Sequence, residues 1–190
     1  ICFDCDEEKI FKFTLQAQSI RSKTLLKPVL GSVLNKKHLI KVFTETRPQI
    51  IFHAAAYKHV PIQELHPWTA VSTNVGGILN MIELADLYSV EKFVMVSTDK
   101  AVNPVNVMGA TKRVAEKCIQ SKNVDSKTQY MAVRFGNVLG SSGSVIPIFE
   151  KQIKAGGPVK ITHPDMIRYF MSIPEAAQLI LQASSMLQGR

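Results

Sequence analysis

Short apolar runs alternate with amphipathic segments along the chain, and this alternation is typical of β–α–β units that form a parallel sheet. The apolar runs predict strands at residues 1–3, 27–30, 49–54, 93–97, 130–135 and 159–161. Apolar side chains at helical spacing predict helices at residues 6–20, 36–46, 68–88, 107–121, 145–155 and 174–186. The sequence therefore predicts an α/β fold with a doubly wound parallel sheet.

The length of the chain suits one domain with a substantial core. It has 190 residues, of which 46% are apolar and 20% are charged. These fractions are close to those of soluble globular proteins, which argues against a disordered chain or a disulfide scaffold. We expect residues 1–140 to form the sheet domain and residues 141–190 to form part of a smaller substrate-binding lobe.

The chain carries 23 basic and 15 acidic side chains, and its formal net charge of +8 favours an anionic ligand such as a phosphate. It contains no RGG tract and no block of five Lys or Arg, so we expect no nucleic-acid partner. The five histidines do not cluster with the three cysteines, so we expect neither a metal site nor a disulfide framework. No apolar stretch reaches the roughly 18 residues of a membrane span.

The sequence lacks one part that a dinucleotide-binding sheet needs. Such a sheet begins with a strand, a GxGxxG loop and a helix, because the pyrophosphate binds backbone N–H groups at the helix N-terminus. There is no such loop, yet Asp4 follows the first predicted strand, where an acidic residue binds the adenosine ribose. Asp4 also fits a helix N-cap, with Glu7 three residues later as in a capping box. We therefore expect a Rossmann-like sheet without its first β–α unit, with both roles of Asp4 open.

The segment 97–112 carries the clearest signs of chemistry. A predicted strand leads into Ser97-Thr98-Asp99-Lys100, and ligands bind at the carboxyl ends of the strands in parallel sheets. The helix that follows carries Met108 and Lys112 one turn apart on one face. The sequence thus predicts that the hydroxyl of Thr98, the carboxylate of Asp99 and the amine of Lys100 lie where a substrate would bind.

Two further segments complete the pattern, His53-Ala54-Ala55-Ala56-Tyr57-Lys58-His59-Val60-Pro61 and Arg134-Phe135-Gly136-Asn137-Val138-Leu139-Gly140-Ser141. Together with segment 97–112 they resemble the extended short-chain dehydrogenase/reductases. Within that superfamily the sequence is similar to the bacterial nucleotide-sugar 4,6-dehydratases of polysaccharide and glycan biosynthesis, whose usual substrate is UDP-N-acetylglucosamine. Met108 stands where these enzymes usually have the Tyr of a YxxxK motif. The sequence resembles in this respect one branch of the family, typically long proteins with an N-terminal membrane segment, which also has Met at this position. The resemblance implies a cytoplasmic domain of a protein anchored at the inner membrane.

The resemblance also implies NAD as the cofactor and three steps on one bound sugar. These are oxidation at C4, loss of the C5 proton with the 6-hydroxyl, and reduction at C6. Asp99 is assigned as the acid, Lys100 as the C5 base and Thr98 as the group that orients the 4-hydroxyl. The base for the 4-hydroxyl proton is either Asp99 or a water held by Thr98. Lys112 is expected to hold the nicotinamide ribose, and Met108 to line the sugar pocket.

Other positions carry over from the same resemblance. The cofactor-binding candidates are Asp4, Ser32, Val33, Ala54, Ala55, Ala56, Lys58, Asn74 and Lys112. The substrate-binding candidates are Asn137, Ser141, His163 and Arg168. Among these, Asn74 is expected mainly to brace neighbouring strands, and the guanidinium of Arg168 suits a pyrophosphate.

The expected partners are a UDP-sugar and a second copy of the chain, which would contact the first through helices 68–88 and 107–121. Two alternatives stay open. The first is a nucleotide-sugar epimerase or a C5-inverting dehydratase of the same fold. The second is a truncated fragment that folds but catalyses no reaction.

Overall fold

The computed structural model of the chain describes residues 1–20, 24–141, 145–161 and 163–186. The strands in this part are β1 (Cys2–Asp4), β2 (Pro28–Leu30), β3 (Ile50–His53), β4 (Lys92–Val96), β5 (Gln129–Val133), β6 (Asn137–Val138) and β7 (Phe170–Met171). The helices are α1 (Glu7–Ser19), α2 (Lys36–Thr46), α3 (Val60–Leu65), α4 (Pro67–Val71), α5 (Gly77–Leu87), α6 (Val107–Lys122), α7 (Val145–Lys154) and α8 (Ile173–Met186). A π-helical turn at Ser72–Gly76 joins α4 to α5 without a break.

The main strands form a parallel sheet in two parts. β3, β4 and β5 are hydrogen-bonded in that order, with Phe93 of β4 beside Ile51 and Tyr130. β1 pairs with β2, with Phe3 beside Val29. Within the described residues no pairing joins β1 to β3. In the usual strand order of a Rossmann sheet, the first strand lies between the second and the fourth. The division therefore agrees with the predicted Rossmann-like sheet that lacks its first β–α unit.

Strand β4 lies at the centre of the core, and its residues Phe93, Val94 and Met95 are at most 1% exposed. Successive side chains of a strand point to opposite faces. Phe93 and Met95 pack with α2, α5 and α6, whereas Val94 packs with α8. Each such buried side chain contributes about 2 kcal/mol of hydrophobic stabilisation. Helices thus cover both faces, which confirms the doubly wound arrangement.

Aspartate or asparagine side chains cap the N-termini of α1, α2 and α6. Asp6, Asn35 and Asn106 are the N-caps of α1, α2 and α6, and each side chain accepts the backbone N–H three residues later. Such a cap stabilises a helix by about 1 kcal/mol. The N-cap role considered for Asp4 is therefore wrong. Asp4 belongs to β1, and its Oδ1 accepts from the Asp6 N–H at 2.9 Å.

The chain after β5 departs most from the sequence predictions. The strand predicted at residues 159–161 is wrong, since these residues are exposed and irregular. Instead β6 and β7 form a parallel pair, with Asn137 beside Phe170. Pro174 is the second residue of α8 rather than the first, because the helix begins at Ile173. Helix α8 packs against β4 and β5, although it lies within the region 141–190 expected to contribute to the substrate lobe.

Candidate active site

Strand β4 leads into a tight turn that presents Thr98, Asp99 and Lys100. The turn is a 3₁₀-helix at Asp99–Ala101, and the Thr98 hydroxyl caps it by accepting the Lys100 N–H at 3.4 Å. The Asp99 N–H donates to the Phe135 carbonyl at 3.2 Å, which fixes the turn to the segment that follows β5. The three residues predicted to carry the chemistry therefore lie together at the carboxyl end of the sheet.

The Asp99 carboxylate is surrounded by donors. Its Oδ1 accepts from the Thr98 hydroxyl and from the Lys100 ammonium, both at 2.9 Å. Partial burial raises the pKa of Asp99, but the hydrogen bonds from Lys100 and Thr98 and the charge of Lys100 lower it, and the net pKa lies below its usual value. Asp99 is therefore ionised at neutral pH and can accept a proton.

Lys100 connects the turn to strand β6. Its Nζ donates to Asp99 Oδ1 and, at 3.2 Å, to Asn137 Oδ1. The Lys100 side chain is 29% exposed, so the ammonium is accessible at the sheet edge. The structure thus brings a substrate-binding candidate, Asn137, into contact with the candidate base.

Helix α6 begins directly beside this turn. A Cβ at Gly109 would overlap the Lys100 carbonyl oxygen, so the close approach of helix and turn requires glycine at this position. Glu64 of α3 accepts the Val107 N–H at 2.6 Å and so ties the start of α6 to a second helix. Met108 is only 4% exposed and packs in the interior, where its thioether cannot transfer a proton. Its place in a sugar pocket stays a prediction.

Lys112 lies one turn further along α6 and is 7% exposed. Its ammonium donates to the Val96 carbonyl at 2.9 Å. Burial lowers the pKa of Lys112 to about 8, although the charge of Glu116 opposes this shift. Burial and the nearby Lys112 also lower the pKa of His53, to about 3, so this imidazole is neutral. An ammonium has three N–H donors. Among the described residues only Val96 accepts from Lys112, which leaves two donors for a ligand.

A buried carboxylate that the sequence analysis missed lies on the same helix. Glu116 is 1% exposed and accepts from Ser97 Oγ at 2.6 Å, from Arg134 Nε at 2.7 Å and from Arg113 Nη1 at 3.3 Å. Burial raises the pKa of Glu116, but the hydrogen bonds from Arg134 and Ser97 lower it, and the net pKa lies below its usual value. The signal that could have found Glu116 is its spacing of one helical turn from Lys112.

Asn74 lies in the π-helical turn and is buried. Its Oδ1 accepts the Tyr57 N–H at 2.8 Å, and its Nδ2 donates to the Tyr57 carbonyl and to the Thr111 hydroxyl, each at 3.0 Å. The expectation that Asn74 braces neighbouring strands is therefore wrong, since it joins the loop after β3 to α6. This loop contains Ala54–Ala56 and Lys58. Contact of Asn74 with a cofactor stays a prediction.

The remaining cofactor-binding candidates lie at or just after the carboxyl ends of β1, β2 and β3, on one edge of the parallel strands. They are Asp4 on β1, Ser32 and Val33 after β2, and Ala54, Ala55, Ala56 and Lys58 after β3. The Ser32 hydroxyl accepts the Leu34 N–H at 3.2 Å. Partial burial and the charge of Lys9 lower the pKa of Lys58.

The substrate-binding candidates beyond Asn137 are less closely tied to the turn. His163 and Arg168 are exposed and form only local hydrogen bonds within the described residues. The Arg168 guanidinium donates to the Ile167 carbonyl at 2.7 Å, and His163 Nδ1 accepts the Asp165 N–H at 3.2 Å. The neighbouring Tyr169 carbonyl accepts the Asn137 N–H at 3.0 Å, so the backbone of this segment reaches the site. Ser141 is half-buried and its N–H donates to the Val138 carbonyl at 3.3 Å.

Two further features bear on the class of site. No group of three or more His, Cys, Asp or Glu side chains in the described ranges is placed to hold a metal ion. In the same part of the chain, no helix combines the length and the apolar character needed to cross a membrane.

Parallel strands with polar groups at their carboxyl ends are the arrangement of a Rossmann-like sheet, and the buried Lys112 on the next helix agrees with the resemblance to the extended short-chain dehydrogenase/reductases. The comparison with known proteins agrees with this class. The chain belongs to the family described as polysaccharide biosynthesis protein, whose model matches residues 1–190.

Curated relatives cover most of the chain. CapD of Staphylococcus aureus, a capsular polysaccharide biosynthesis protein, is 58% identical over 163 residues, which are 85% of this chain and 27% of CapD. MJ1061 of Methanocaldococcus jannaschii, named as a membrane protein, is 47% identical over 189 residues, which are 98% of this chain and 55% of MJ1061. A UDP-glucose 4-epimerase of Rickettsia bellii is 44% identical over 136 residues, which are 70% of this chain and 40% of the epimerase. The chain thus spans between 27% and 55% of the length of these relatives.

Solved structures share the fold. Pen from Bacillus thuringiensis superposes with a TM-score of 0.86 at 35% identity, over 98% of this chain and 57% of Pen. WbmG of Bordetella bronchiseptica, solved in complex with NAD and UDP, gives a TM-score of 0.67 at 24% identity, over 85% of this chain and 54% of WbmG. These likenesses confirm the Rossmann-like fold predicted from the sequence.

Proposed function

We propose that this chain is the catalytic core of an NAD-dependent 4,6-dehydratase, which converts UDP-N-acetylglucosamine to a UDP-4-keto-6-deoxy sugar in polysaccharide or glycan biosynthesis. The observation that carries the proposal is the contact of Lys100 with both Asp99 and Asn137 at the sheet edge. The buried Lys112 donates to the carbonyl of Val96, the last residue of β4. An elimination needs an acid and a base within hydrogen-bond reach of adjacent carbons. The polysaccharide biosynthesis family and the NAD and UDP bound to WbmG support this choice.

The residues present fit both ends of NAD. Lys112 keeps two donors for the hydroxyls of the nicotinamide ribose, and the small side chains of Ala54–Ala56 leave room beside the end of β3. Asp4 and Ser32 are placed at strand ends where the adenosine would lie. Bound NAD would supply hydride acceptance at C4 of the sugar and hydride donation at C6.

The residues of this chain would move the protons of the reaction. The ionised Asp99 takes the proton of the 4-hydroxyl while C4 is oxidised. The Lys100 ammonium, which is paired with Asp99 in the resting site, gives one proton to water, and the resulting amine takes the C5 proton while Asp99 gives its proton to the departing 6-hydroxyl, which leaves as water. Lys100 finally returns a proton to C5 as C6 is reduced, and its amine then regains a proton from water. The sugar loses one water, and both side chains regain their starting protonation.

The substrate would lie between the turn and the chain that follows β5. Asn137 accepts from Lys100 at 3.2 Å and, in this proposal, would bind near the sugar phosphates. Ser141, His163 and Arg168 would complete the binding of the UDP group, with the Arg168 guanidinium on the pyrophosphate. Region 141–190 thus contributes the substrate side of the site.

Product analysis tests the proposal. The full-length protein, NAD and UDP-N-acetylglucosamine are incubated in D₂O, and the product is characterised by mass spectrometry and NMR. We expect loss of one water, one deuterium at C5 and no net formation of NADH. The NMR coupling constants of the product assign the C5 configuration and so separate a retaining from an inverting dehydratase.

An epimerase is the second candidate, because the Rickettsia bellii relative is named as a UDP-glucose 4-epimerase. Its product would keep the mass of the substrate and be inverted at C4. Bound NAD without any conversion would favour a catalytically silent protein. Either result would overturn the dehydratase proposal.

We infer that two copies of the chain associate through α4, α5 and α6. Apolar side chains are exposed along these helices, with Trp68 at 83% exposure, and Val71, Leu79 and Val114 also exposed. Clusters of exposed apolar side chains mark protein interfaces. Trp68→Glu is therefore expected to convert a dimer to a monomer in analytical ultracentrifugation. A wild-type protein that sediments as a monomer would contradict the inference.

We propose that this domain works in the cytoplasm as part of a longer protein held at the inner membrane. The name of MJ1061 as a membrane protein supports this placement. Fractionation of cells that express the full-length protein would then recover this domain in the membrane fraction.

A further inference from the structure

The carboxylate of Glu116 joins the two segments that carry the candidate site. It accepts from the hydroxyl of Ser97, which follows β4, and from the guanidinium of Arg134, which follows β5. Lys112, one turn earlier on α6, holds the Val96 carbonyl at 2.9 Å. Helix α6 therefore anchors both strand ends with buried, charged side chains.

These anchors lie just before the residues that meet in the site. Lys100 is three residues after Ser97, and Asn137 is three residues after Arg134. Lys100 Nζ and Asn137 Oδ1 are 3.2 Å apart. Only a few residues therefore connect the Glu116 carboxylate to each of these two side chains, through Ser97 to Lys100 and through Arg134 to Asn137. A change at Glu116 would therefore move these two side chains relative to each other.

We propose that Glu116 is a positioning residue, which sets the distance between Lys100 and Asn137 through Ser97 and Arg134. This inference rests on the proposed function, since it concerns the base of that reaction. An ionised carboxylate suits the role, because it accepts from a hydroxyl and from a guanidinium fork at the same time. A displacement of about 1 Å in a reacting group can lower the rate by about 10²-fold.

Asp86 offers a matched control away from the site. Its carboxylate accepts from the hydroxyls of Ser126 and Tyr130, each at 2.6 Å, and from the ammonium of Lys122 at 3.0 Å. It therefore combines hydroxyl and cationic donors, as Glu116 does. Tyr130 lies near the start of β5, at the end of the strand opposite to the site. Loss of this carboxylate should weaken the fold without moving Lys100.

The test compares Glu116→Gln with Asp86→Asn in the full-length protein, by steady-state kinetics and thermal unfolding. For Glu116→Gln we expect kcat to fall about 10²-fold while KM for the UDP-sugar changes less than about threefold. For Asp86→Asn we expect a lower melting temperature with kcat within about threefold of wild type. If Glu116→Gln does not fold, Ser97→Ala removes only one hydrogen bond and should lower kcat about tenfold.

The outcomes separate this inference from the proposed function. A kcat unchanged in Glu116→Gln, or lowered equally in Asp86→Asn, would overturn the positioning role. A wild-type protein without dehydratase activity would instead overturn the proposed function. In that case a crystal structure of Glu116→Gln decides the inference, because an unchanged contact between Lys100 and Asn137 would contradict it.

Discussion

The variant Lys100→Met is expected to lose about 10³-fold or more in kcat, because it removes the amine proposed to take the C5 proton. General bases contribute about 10² to 10⁴ in rate. The Met side chain keeps an unbranched stem of similar length but can neither accept nor donate a proton. Lys100 contacts Asp99 and Asn137, so its amine lies between the candidate acid and a substrate-binding candidate. Substrate binding should change much less than turnover.

Single-turnover measurements can show which step the Lys100→Met variant has lost. In the proposed reaction, oxidation at C4 precedes the loss of the C5 proton, so the variant should still give the absorbance of reduced nicotinamide but no dehydrated product. Lys117→Met is the control, since Lys117 is an exposed lysine on α6. Turnover near the wild-type level in Lys100→Met would assign the C5 proton to another group.

The central sheet and the turn after β4 could be predicted from the sequence. Strand β4 has a continuous apolar run because helices cover both of its faces, and such runs are distinctive. The turn could be predicted because Thr98, Asp99 and Lys100 are adjacent in the sequence. Their adjacency at a strand end already implied a shared site.

The segments that the sequence did not reveal depend on contacts between distant residues. Strands β6 and β7 are two residues long, too short to show an alternating pattern, and they exist because Asn137 pairs with Phe170. Residues 159–161 have the apolar composition of a strand but find no partner strand in the described part of the chain. Asp4 and Asp6 are both able to cap a helix, but β1 extends to Asp4, so Asp6 is the residue that caps α1.

Glu116 shows the same limit within the site. A glutamate in an amphipathic helix is usually taken to face solvent, and the one-turn spacing of Glu116 from Lys112 marks its position without predicting its burial. Its burial becomes visible only when Arg134 and Ser97 are brought to it by two different strands. Charge pairs of this kind are a property of the folded arrangement, so they have to be read from the structure.

Lys112→Met is expected to stabilise the protein at neutral pH while it impairs cofactor binding. Burial lowers the pKa of Lys112 to about 8 from an ordinary value of 10.5. The unfolded chain therefore binds this proton more tightly, so the free energy of unfolding rises as pH increases from about 8 to about 10.5. Below about pH 8 the buried ammonium therefore lowers the free energy of unfolding by about 3 kcal/mol, because one pKa unit corresponds to about 1.4 kcal/mol. The variant gains this stability but loses the hydrogen bond from Lys112 to the Val96 carbonyl, which costs it about 1 kcal/mol.

The variant should therefore gain about 2 kcal/mol in the free energy of unfolding at pH 7, and this advantage should shrink as the pH rises towards 10. Urea unfolding at both pH values measures the difference, and isothermal titration with NAD measures the loss of binding. Lys117→Met, on the exposed side of the same helix, should change the stability by less than about 0.5 kcal/mol at either pH. A less stable Lys112→Met at pH 7 would mean that the ammonium stabilises the fold. A more stable variant that no longer binds NAD would mean that Lys112 is kept buried and charged for its ligand at the expense of stability.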